Sequence, residues 1–327
     1  MTDPLIIVPG GMNTDIVALG VDRILGAGEL TLGGKIYIGP GGKSRNMAQM
    51  AAAYLGPGSV AMIGRSSRDP FGLYSVPLKA LEEAGVDMTH VRVLDLEESS
   101  GKYPGIALIP VDKKGENQIY VLPGVNADFG REDIDQAFEL FKNPQGNKIM
   151  ILALEIPIKA VEYSLEKAFD SGIKVILDPG GLEASVDSVL DEKIFLIKPN
   201  EHEAKILTRE HVYDFESAGK AADRLLEKGI QHILITHGAR GAYLFNQDIR
   251  KHIPIPQIDD TGTHDETGCG DQVTAVVAAG LAEKRNLLES VKLAVRAGTM
   301  QFYRKGIQSL SAKEILTSWE GENDETG

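Results

Sequence analysis

Six short apolar runs alternate with helix-like segments along this chain, and this alternation constrains its fold more than any other feature. The runs are rich in Ile, Val and Leu without polar alternation, as expected for strands that are covered on both faces. They are Leu5–Val8, Val60–Ile63, Ile149–Leu154, Lys174–Leu177, Ile194–Ile197 and His232–Ile235. The helix-like segments are Ser44–Leu55, Val76–Ala84, Ile158–Ser171, Glu201–Thr208 and Glu216–Lys228. This spacing predicts an α/β fold with a doubly wound, mostly parallel sheet and helices on both of its faces.

Two stretches, about 12–38 and 100–122, do not follow this alternation. The second contains two β-rich runs around Lys113-Lys114-Gly115, which is typical of a hairpin. We expect the two stretches to form a small β-sheet that is inserted in the α/β body and serves as a lid. The alternative is that they are only edge strands of the main sheet.

Composition narrows the class of protein. The length of 327 residues suits a single domain, 1–327, that consists of one α/β body and a small appendage. A single cysteine, Cys269, excludes an internal disulfide, and neither a secretory signal nor a run long enough to span a membrane is seen, so a cytoplasmic location is expected. The net charge of -13 argues against a general binder of nucleic acid or anionic membranes, although a local pocket could still take an anion. The acidic tail GENDETG is expected to fray.

Polar residues follow five of the six predicted strands. Ligands of open parallel sheets bind beyond the carboxyl ends of the strands, where these residues should gather. Carboxylates and amides accept hydrogen bonds from sugar hydroxyl groups, so a hydroxyl-rich ligand is expected there. The residues are Asn13 and Asp15, Glu155, Asp178, Asn200 with Glu203, and Thr236.

The strongest local signal is the segment DETGCGD, residues 265–271, which precedes the apolar run Val273–Leu281. The run predicts a buried helix, and the glycines before it allow a ligand to approach the backbone closely. The first N–H groups of a helix lack internal partners and lie at its positive end, which forms a site for a transferring phosphoryl group. Asp271 has two possible roles here, as a reactive carboxylate or as a helix-capping residue. The segment Gly42-Lys43-Ser44 is not a P-loop, because Tyr37 stands where that motif requires its first glycine.

Together these motifs resemble the ribokinase-like (PfkB) carbohydrate kinase family over nearly the whole chain. Gly41–Asn46 resembles its first signature, a Gly-Gly pair followed by asparagine, and DETGCGD resembles its second, D-T-x-G-A-G-D. GGMNTD, the stretch from Gly105 to Ala127, LALEIP, KPNEHE and THGARG also have counterparts in the family. The order and spacing of these motifs are more specific than any one of them.

The resemblance implies an ATP-dependent phosphotransferase that acts on an alcohol group of a small sugar. Asp271 matches the general base, a role that is typically worth about 10²- to 10⁴-fold in rate. Gly268, Cys269 and Gly270 match the anion hole for the migrating phosphate. A homodimer through the lid sheet is a further possibility.

The resemblance also implies binding roles and cofactors. Asn200 and Glu203 match the element that organises Mg²⁺ and phosphate, and Thr236, Gly238 and Gly241 match the nucleotide loop. Asp265 and Thr267, with backbone carbonyls near Arg304 and Gly306, match a monovalent-cation site that usually holds K⁺. The expected cofactors are therefore ATP, Mg²⁺ and K⁺. The residues that match sugar contacts are Asn13, Asp15, Gly42, Lys43, Asn46 and Glu155.

Three departures from the family pattern leave alternatives open. Cys269 replaces the usual alanine and is expected to make the enzyme sensitive to alkylation, and Glu266 stands where threonine is common. Ser44-Arg45 replaces small residues; we expect Arg45 to be a solvated helix residue, although it could instead indicate another substrate. The alternatives to a sugar kinase are a nucleoside, pseudouridine, inositol or phosphosugar kinase, or a non-catalytic protein that senses sugars or nucleotides.

Overall fold

The computed structural model describes residues 3–143, 145–181 and 186–323. Of the acidic tail, residues 324–327 lie outside the described residues. The strands are β1 (Ile6–Pro9), β2 (Asn13–Val21), β3 (Lys35–Gly41), β4 (Val60–Ser67), β5 (Asp87–Leu94), β6 (Gly105–Asp112), β7 (Tyr120–Leu122), β8 (Ile149–Ala153), β9 (Lys174–Asp178), β10 (Ile194–Ile197), β11 (His232–Thr236), β12 (Ala242–Phe245) and β13 (Arg250–Ile253). The helices are α1 (Lys43–Leu55), α2 (Ser75–Glu83), α3 (Arg131–Gln136), α4 (Ile158–Asp170), α5 (Glu201–Thr208), α6 (Phe215–Leu226), α7 (Cys269–Ala282), α8 (Leu287–Phe302) and α9 (Ala312–Asn323).

The larger sheet contains nine strands in the order β13-β12-β11-β10-β9-β8-β1-β4-β5. From β11 to β5 neighbouring strands are parallel, whereas β11, β12 and β13 pair in antiparallel fashion. All six predicted strands lie in its parallel part, which confirms the mostly parallel fold. Strands β5, β12 and β13 lie toward the two ends of the sheet and were not predicted. Charged residues interrupt β5 and β13, whereas β12 is an apolar run of four residues like β10 and was missed.

Both faces of this sheet are covered, as in a doubly wound fold. Ile6 and Val8 of β1 face one way and pack in a cluster with apolar residues of α1, α7 and α8. Ile7 faces the opposite way and packs with residues of α4, α5 and α6. Successive residues of a strand point to opposite faces, so a continuous apolar run is what a sheet with two buried faces requires.

The chain changes direction across the sheet at β1, which lies between β4 and β8. From β1 it proceeds outward through β4 and β5, and it then returns to β8 on the other side. Ligands of open α/β sheets bind at such a switch point, beyond the carboxyl ends of the strands. The fold therefore places a site where Asn13 and Glu155 follow β1 and β8.

A separate four-stranded sheet, in the order β3-β2-β6-β7, lies beside the larger one. The predicted hairpin is the antiparallel pair of β6 and β7, whereas β2 and β6 are parallel. Direct cross-strand neighbours share a face, so Ile16, Ile38, Leu108 and Tyr120 lie on the face opposite to Asp15. Ile38, Leu108 and Tyr120 are all exposed. In the part of the chain that the structure describes, no helix combines the length and apolar character that crossing a bilayer requires.

Candidate active site

Helix α7 begins at Cys269, immediately after the left-handed residue Gly268, whose φ is 75°. The positive φ of Gly268 favours glycine, and a Cβ there would also lie 2.6 Å from Cδ1 of Ile307, whose side chain would have to move. The apolar run forms the buried interior of α7, as predicted. Asp271 lies in its first turn, where its side chain is almost fully buried and yet lines a cleft.

Two side chains from α1 hold the Asp271 carboxylate. The Asn46 amide donates to Oδ2 at 2.7 Å, and Nζ of Lys43 lies 3.1 Å from Oδ1. Because both carboxylate oxygens are fixed, the orientation of Asp271 is determined by its contacts with α1 rather than by capping of its own helix. These three predicted site residues come together although α1 and α7 are far apart in sequence.

A chain of opposite charges extends from Lys43 toward the start of α7. Asp178 lies 3.9 Å from Nζ of Lys43 and 3.1 Å from Nζ of Lys198, and it accepts a hydrogen bond from Thr274 at 2.8 Å. Burial alone would raise the pKa of Asp178, but Lys198, Lys43 and the Thr274 hydroxyl lower it to about 2. Lys198 lies beside Gly270, 3.5 Å from the position of a Cβ there. An ammonium group therefore lies next to the glycines at the start of α7.

The predicted sugar contacts lie on the other side of Lys43. Oε2 of Glu155 accepts the backbone N–H of Lys43 at 2.7 Å, across the switch point of the sheet. Gly42 has a φ of 91° and approaches Asn13 and Gly11 closely, so it must be glycine. Burial raises the pKa of Glu155 to about 7 and that of Asp15 to about 6, although Lys43 and Arg45 respectively oppose these shifts.

Arg45 corrects the expectation of a solvated side chain, because its exposure is 0%. Its guanidinium donates to the carbonyl oxygens of Pro40 at 2.9 Å and Gly41 at 3.3 Å, and also to Asn46 and Gln49. Burial lowers the pKa of Arg45 to about 10, so the group stays charged at neutral pH. Arg45 thus connects strand β3 of the small sheet to the asparagine that holds Asp271.

Asn13 is buried and directed toward a second asparagine rather than into open space. Its Oδ1 accepts a hydrogen bond from Nδ2 of Asn126 at 2.9 Å, and Asn126 also bonds the backbone of Met12. Asn126 was not among the predicted site residues. The only signal for it is its position in the stretch Gly105 to Ala127, which had a counterpart in the family.

The cleft has a volume of about 600 Å³ and joins the start of α7 to the ends of β10 and β11. Asn200 and Glu203 form a reciprocal cap at the start of α5, with hydrogen bonds of 2.8 and 2.9 Å. Gly241, with a φ of 84°, lies so close to the Ile253 carbonyl that a side chain would not fit. The predicted residues that line the cleft are Lys43, Asn200, Glu203, Thr236, Gly238, Gly241, Gly268, Cys269, Gly270 and Asp271.

The residues expected to bind a monovalent cation lie beside the cleft and are bonded to one another. The two carboxylate oxygens of Asp265 accept the backbone N–H groups of Thr267 at 2.9 Å and Gly306 at 2.8 Å. The side chain of Arg304 forms an ion pair with Glu314 at 3.0 Å. Gln301, which the sequence analysis did not identify, donates its amide to the same segment.

The environment of Cys269 opposes the expected sensitivity to alkylation. Burial, together with the charges of Asp265, Glu266 and Asp271, raises the pKa of the thiol to about 12. The thiolate is the reactive form of cysteine, so this thiol is poorly activated at neutral pH.

Two further residues complete the site: Lys198, whose position after a strand went unused, and Asp178, which was predicted only as one of the polar residues that follow the strands. Each stands directly at the carboxyl end of a predicted strand, as the sugar-binding candidates do. Together with Lys43 and Asp271 they create a site that has a carboxylate aimed at the cleft and a positive group beside the glycine turn. Such a site can accept a proton from a hydroxyl group while it stabilises an anion.

Comparison with known proteins agrees with this geometry. The sequence pattern of the family described as pfkB family carbohydrate kinase matches residues 3–314. The chain is 32% identical over 305 residues to ribokinase of Haemophilus influenzae, covering 92% of this chain and 93% of that one. It is 30% identical over 272 residues to deoxyribokinase of Salmonella typhi, covering 83% and 84%. The solved structure of Arabidopsis thaliana ribokinase complexed with ribose and ATP superimposes with a TM-score of 0.84 at 26% identity, over 97% of this chain and 98% of that one.

Sequence and structure thus agree over residues 3–314. The match covers the glycine pair before α1, the strand ends and the start of α7. The chain therefore belongs to the pfkB family of carbohydrate kinases, and it is an ATP-dependent sugar kinase.

Proposed function

We propose that this kinase transfers the γ-phosphoryl group of ATP to a hydroxyl group of a small, uncharged sugar of the ribose or deoxyribose class, with Asp271 as the general base. The observation that carries the proposal is the placement of Asp271. Its carboxylate is fixed by Asn46 at 2.7 Å and by Lys43 at 3.1 Å, and it lines the cleft at the start of α7. The matched relatives include proteins named ribokinase and deoxyribokinase.

In the proposed reaction, Asp271 accepts the proton of the sugar hydroxyl as its oxygen attacks the γ-phosphorus. The bond from that phosphorus to the ADP oxygen breaks, and ADP leaves. The N–H groups of Gly268 and Gly270 and the ammonium group of Lys198 stabilise the charge on the migrating phosphoryl group. The N–H of Cys269, the third residue expected in the anion hole, donates to the carbonyl oxygen of Glu266 at 3.2 Å. Lys43 and Asn46 hold the carboxylate in position, so less conformational freedom is lost in the transition state.

The charge of the site favours an uncharged substrate over a phosphosugar. The carboxylates of Asp15, Glu155 and Asp271 all lie close enough to Arg45 to interact with its charge. Lys43 is paired with Asp271, and the Arg45 guanidinium donates to protein groups. A second phosphate would meet carboxylates in a partly buried site, where charges interact strongly. The nucleoside, pseudouridine and inositol alternatives find no comparable support.

We propose that ATP occupies the cleft with its phosphates toward Gly270 and Lys198, and its base toward Ile255, Phe302 and Tyr303. Mg²⁺ would neutralise phosphate charge when bound with the nucleotide. Glu203 would hold it. Its side chain lines the cleft, and the Asn200 cap uses its Oε2, which leaves Oε1 for the metal. Among the described residues no group of three or more His, Cys, Asp or Glu side chains forms a metal site, which suits an ion bound mainly by phosphates and water.

We further propose that residues 1–327 act as one kinase domain in the cytoplasm, with the small sheet as a lid. Asp15 lies on β2 of this sheet and interacts with the charge of Arg45, and Arg45 connects β3 to Asn46, which holds Asp271. The exposed apolar row on the opposite face suits a second copy of the chain, so a homodimer through this sheet is proposed. K⁺ at Asp265, Thr267, Arg304 and Gly306, which the resemblance implies, would compete with the Gln301 amide for two carbonyl oxygens, those of Thr267 and Gly306.

The test is an assay of ADP release with Mg·ATP and a panel of pentoses, deoxypentoses, hexoses, inositols, phosphosugars and nucleosides. Free pentoses should give the highest kcat/KM. Asp271→Asn should lower kcat by about 10²- to 10⁴-fold. The Kd for ATP should stay within about twofold, which is a change of less than about 0.5 kcal/mol in binding free energy. Asp259→Asn, an exposed acidic residue outside the cleft, is the matched control and should keep wild-type activity. A mutant Asp271→Asn with wild-type kcat would overturn the role of Asp271, and preference for a phosphosugar or nucleoside would overturn the substrate class.

A further inference from the structure

Gln301, near the end of α8, is fully buried beside the glycine turn that precedes α7. Its Nε2 donates to the carbonyl oxygen of Thr267 at 3.1 Å and to that of Gly306 at 2.6 Å. One amide group therefore connects two backbone segments that are far apart in sequence. Thr267 directly precedes Gly268, so the connection reaches the start of the proposed phosphate site.

Asp265 completes this connection from the other side of the same two peptide groups. Its carboxylate accepts the N–H groups of Thr267 and Gly306, at 2.9 and 2.8 Å, while Gln301 donates to their carbonyl groups. The N–H and C=O of each of these two residues are thus both bonded to a side chain. The glycine turn is held in place by protein groups alone.

The orientation of the Gln301 amide follows from its partners. Two carbonyl oxygens accept hydrogen bonds and cannot donate them, so with no cation between them the group that faces them is the NH₂. With the amide reversed, Oε1 would lie at hydrogen-bonding distance from two other oxygens, without a proton between them. Oε1 instead lies in a buried position where it has no hydrogen-bond partner among the described residues.

An amide NH₂ directed at two carbonyl oxygens resembles a bound cation in its effect. A monovalent cation would draw the same two oxygens together through charge, whereas Gln301 does so through two N–H groups. The two cannot share the position, because Nε2 lies 2.6 Å from one of these oxygens. We propose that Gln301 takes the place of a monovalent cation in this kinase, and that the enzyme reaches its full rate without K⁺.

The first test compares wild-type enzyme in KCl, NaCl and choline chloride at equal ionic strength. Initial rates should agree within about twofold, well below the roughly fivefold effect where site-to-site coupling usually begins. The melting temperature without sugar should be the same in all three salts, because a ligand that does not bind the folded state does not stabilise it. Activation by K⁺ of about fivefold or more, with a higher melting temperature, would overturn the proposal.

The second test uses Gln301→Ala and Gln301→Glu. Removing the NH₂ leaves the two carbonyl oxygens without a donor, so either variant should acquire a dependence on K⁺, with a rate in choline at least about fivefold lower than in K⁺. Its melting temperature should rise with added KCl. An equal loss in every salt would show that Gln301 only packs, and it would overturn the proposal. The two variants differ in volume and charge, so a folding failure of one leaves the other as the test.

Gln308→Ala is the matched control. Gln308 belongs to the same segment, is exposed, and donates its amide to the carbonyl of Lys305 at 3.1 Å, away from Thr267 and Gly306. It should show no salt preference. The inference rests on the proposed role of Gly268–Gly270 but not on the identity of the sugar. The proposed kinase activity and the proposed role of Gln301 can fail separately. If the kinase activity is wrong, no ADP is released in any salt. If the role of Gln301 is wrong, only the ratio of the rates between salts changes.

Discussion

The side-chain amide of Asn46 lies 2.7 Å from Oδ2 of Asp271, and 225 residues separate the two in sequence. Asn46 also accepts a hydrogen bond from the buried guanidinium of Arg45. A chain of hydrogen bonds therefore runs from the backbone of β3 in the small sheet, through Arg45 and Asn46, to the proposed base. The small sheet and the orientation of Asp271 are thus connected through this chain.

Asn46→Ala should lower kcat/KM for the sugar by about 10- to 100-fold. The reason is that a hydrogen bond to a charged group contributes about 1.5–3 kcal/mol, and each 1.36 kcal/mol corresponds to a factor of ten. Steady-state kinetics at saturating ATP would measure the effect. The KM for ATP should stay near its wild-type value, because Asn46 does not line the nucleotide cleft. An equal change in both KM values would indicate general disruption instead.

The pH dependence of sugar binding should reflect Glu155 and Asp15. Burial raises the pKa of Glu155 to about 7 and that of Asp15 to about 6, so both groups take up protons as the pH falls through this range. A protonated carboxyl is a poor acceptor of hydrogen bonds from sugar hydroxyl groups. The value of kcat/KM for the sugar should therefore fall as the pH drops below these pKa values. A pH profile of Glu155→Gln should lack the limb near pH 7; persistence of that limb would assign it to another group.

The same pKa of Glu155 has a consequence for stability. Between the ordinary value of 4.5 and about 7, the folded protein holds more protons than the unfolded chain, so its stability decreases as the pH rises through this window. Glu155→Gln removes this loss. The melting temperature of the variant relative to wild type should therefore be higher at pH 8 than at pH 5. A difference that is the same at both values would contradict the assignment.

Arg45→Ala should destabilise the protein by about 3 kcal/mol, since buried carbonyl groups lose their donors. The groups affected are the carbonyls of Pro40 and Gly41. Equilibrium unfolding in urea would measure the change. Arg23→Ala, an exposed arginine in the same part of the chain, serves as the control and should unfold like wild type. Equal stability of the two variants would refute the connecting role of Arg45.

Cys269 should react slowly with iodoacetamide at pH 8. With a pKa of about 12 its thiolate fraction is on the order of 10⁻⁴, far below that of an ordinary thiol. Mass spectrometry of the intact protein over time, with glutathione as the reference thiol, would measure the rate. A rate equal to that of glutathione would show that the thiol is more accessible or more acidic than its surroundings imply.

Ile38→Lys should reduce the mass in solution from that of a dimer to that of a monomer, because it places a charge in the exposed apolar row of the small sheet. Light scattering would measure the mass. Phe169→Lys makes the same kind of change at an exposed apolar residue of α4, and it should leave the mass unchanged. A wild-type protein that is already monomeric would rule out the proposed dimer.

The parallel sheet could be predicted from the sequence because its cause is local. A run such as Ile194–Ile197 is apolar at every position, and only a strand with two covered faces needs that pattern. The glycines at 42 and 268 and the acid at 271 were also identifiable, since their roles depend on backbone conformation and on a helix start within a few residues. These features belong to the sequence alone.

The tertiary structure decided which polar groups meet, because burial and pairing depend on segments that are distant in sequence. Arginine usually lies at the protein surface, yet Arg45 is buried and donates to a carbonyl group of β3 and to the Asn46 amide. Gln301 belongs to no motif that the sequence revealed. Its contacts with Thr267 and Gly306 form because the end of α8 packs beside the glycine turn. A polar side chain takes its role from the partners that replace water around it, and the fold determines those partners.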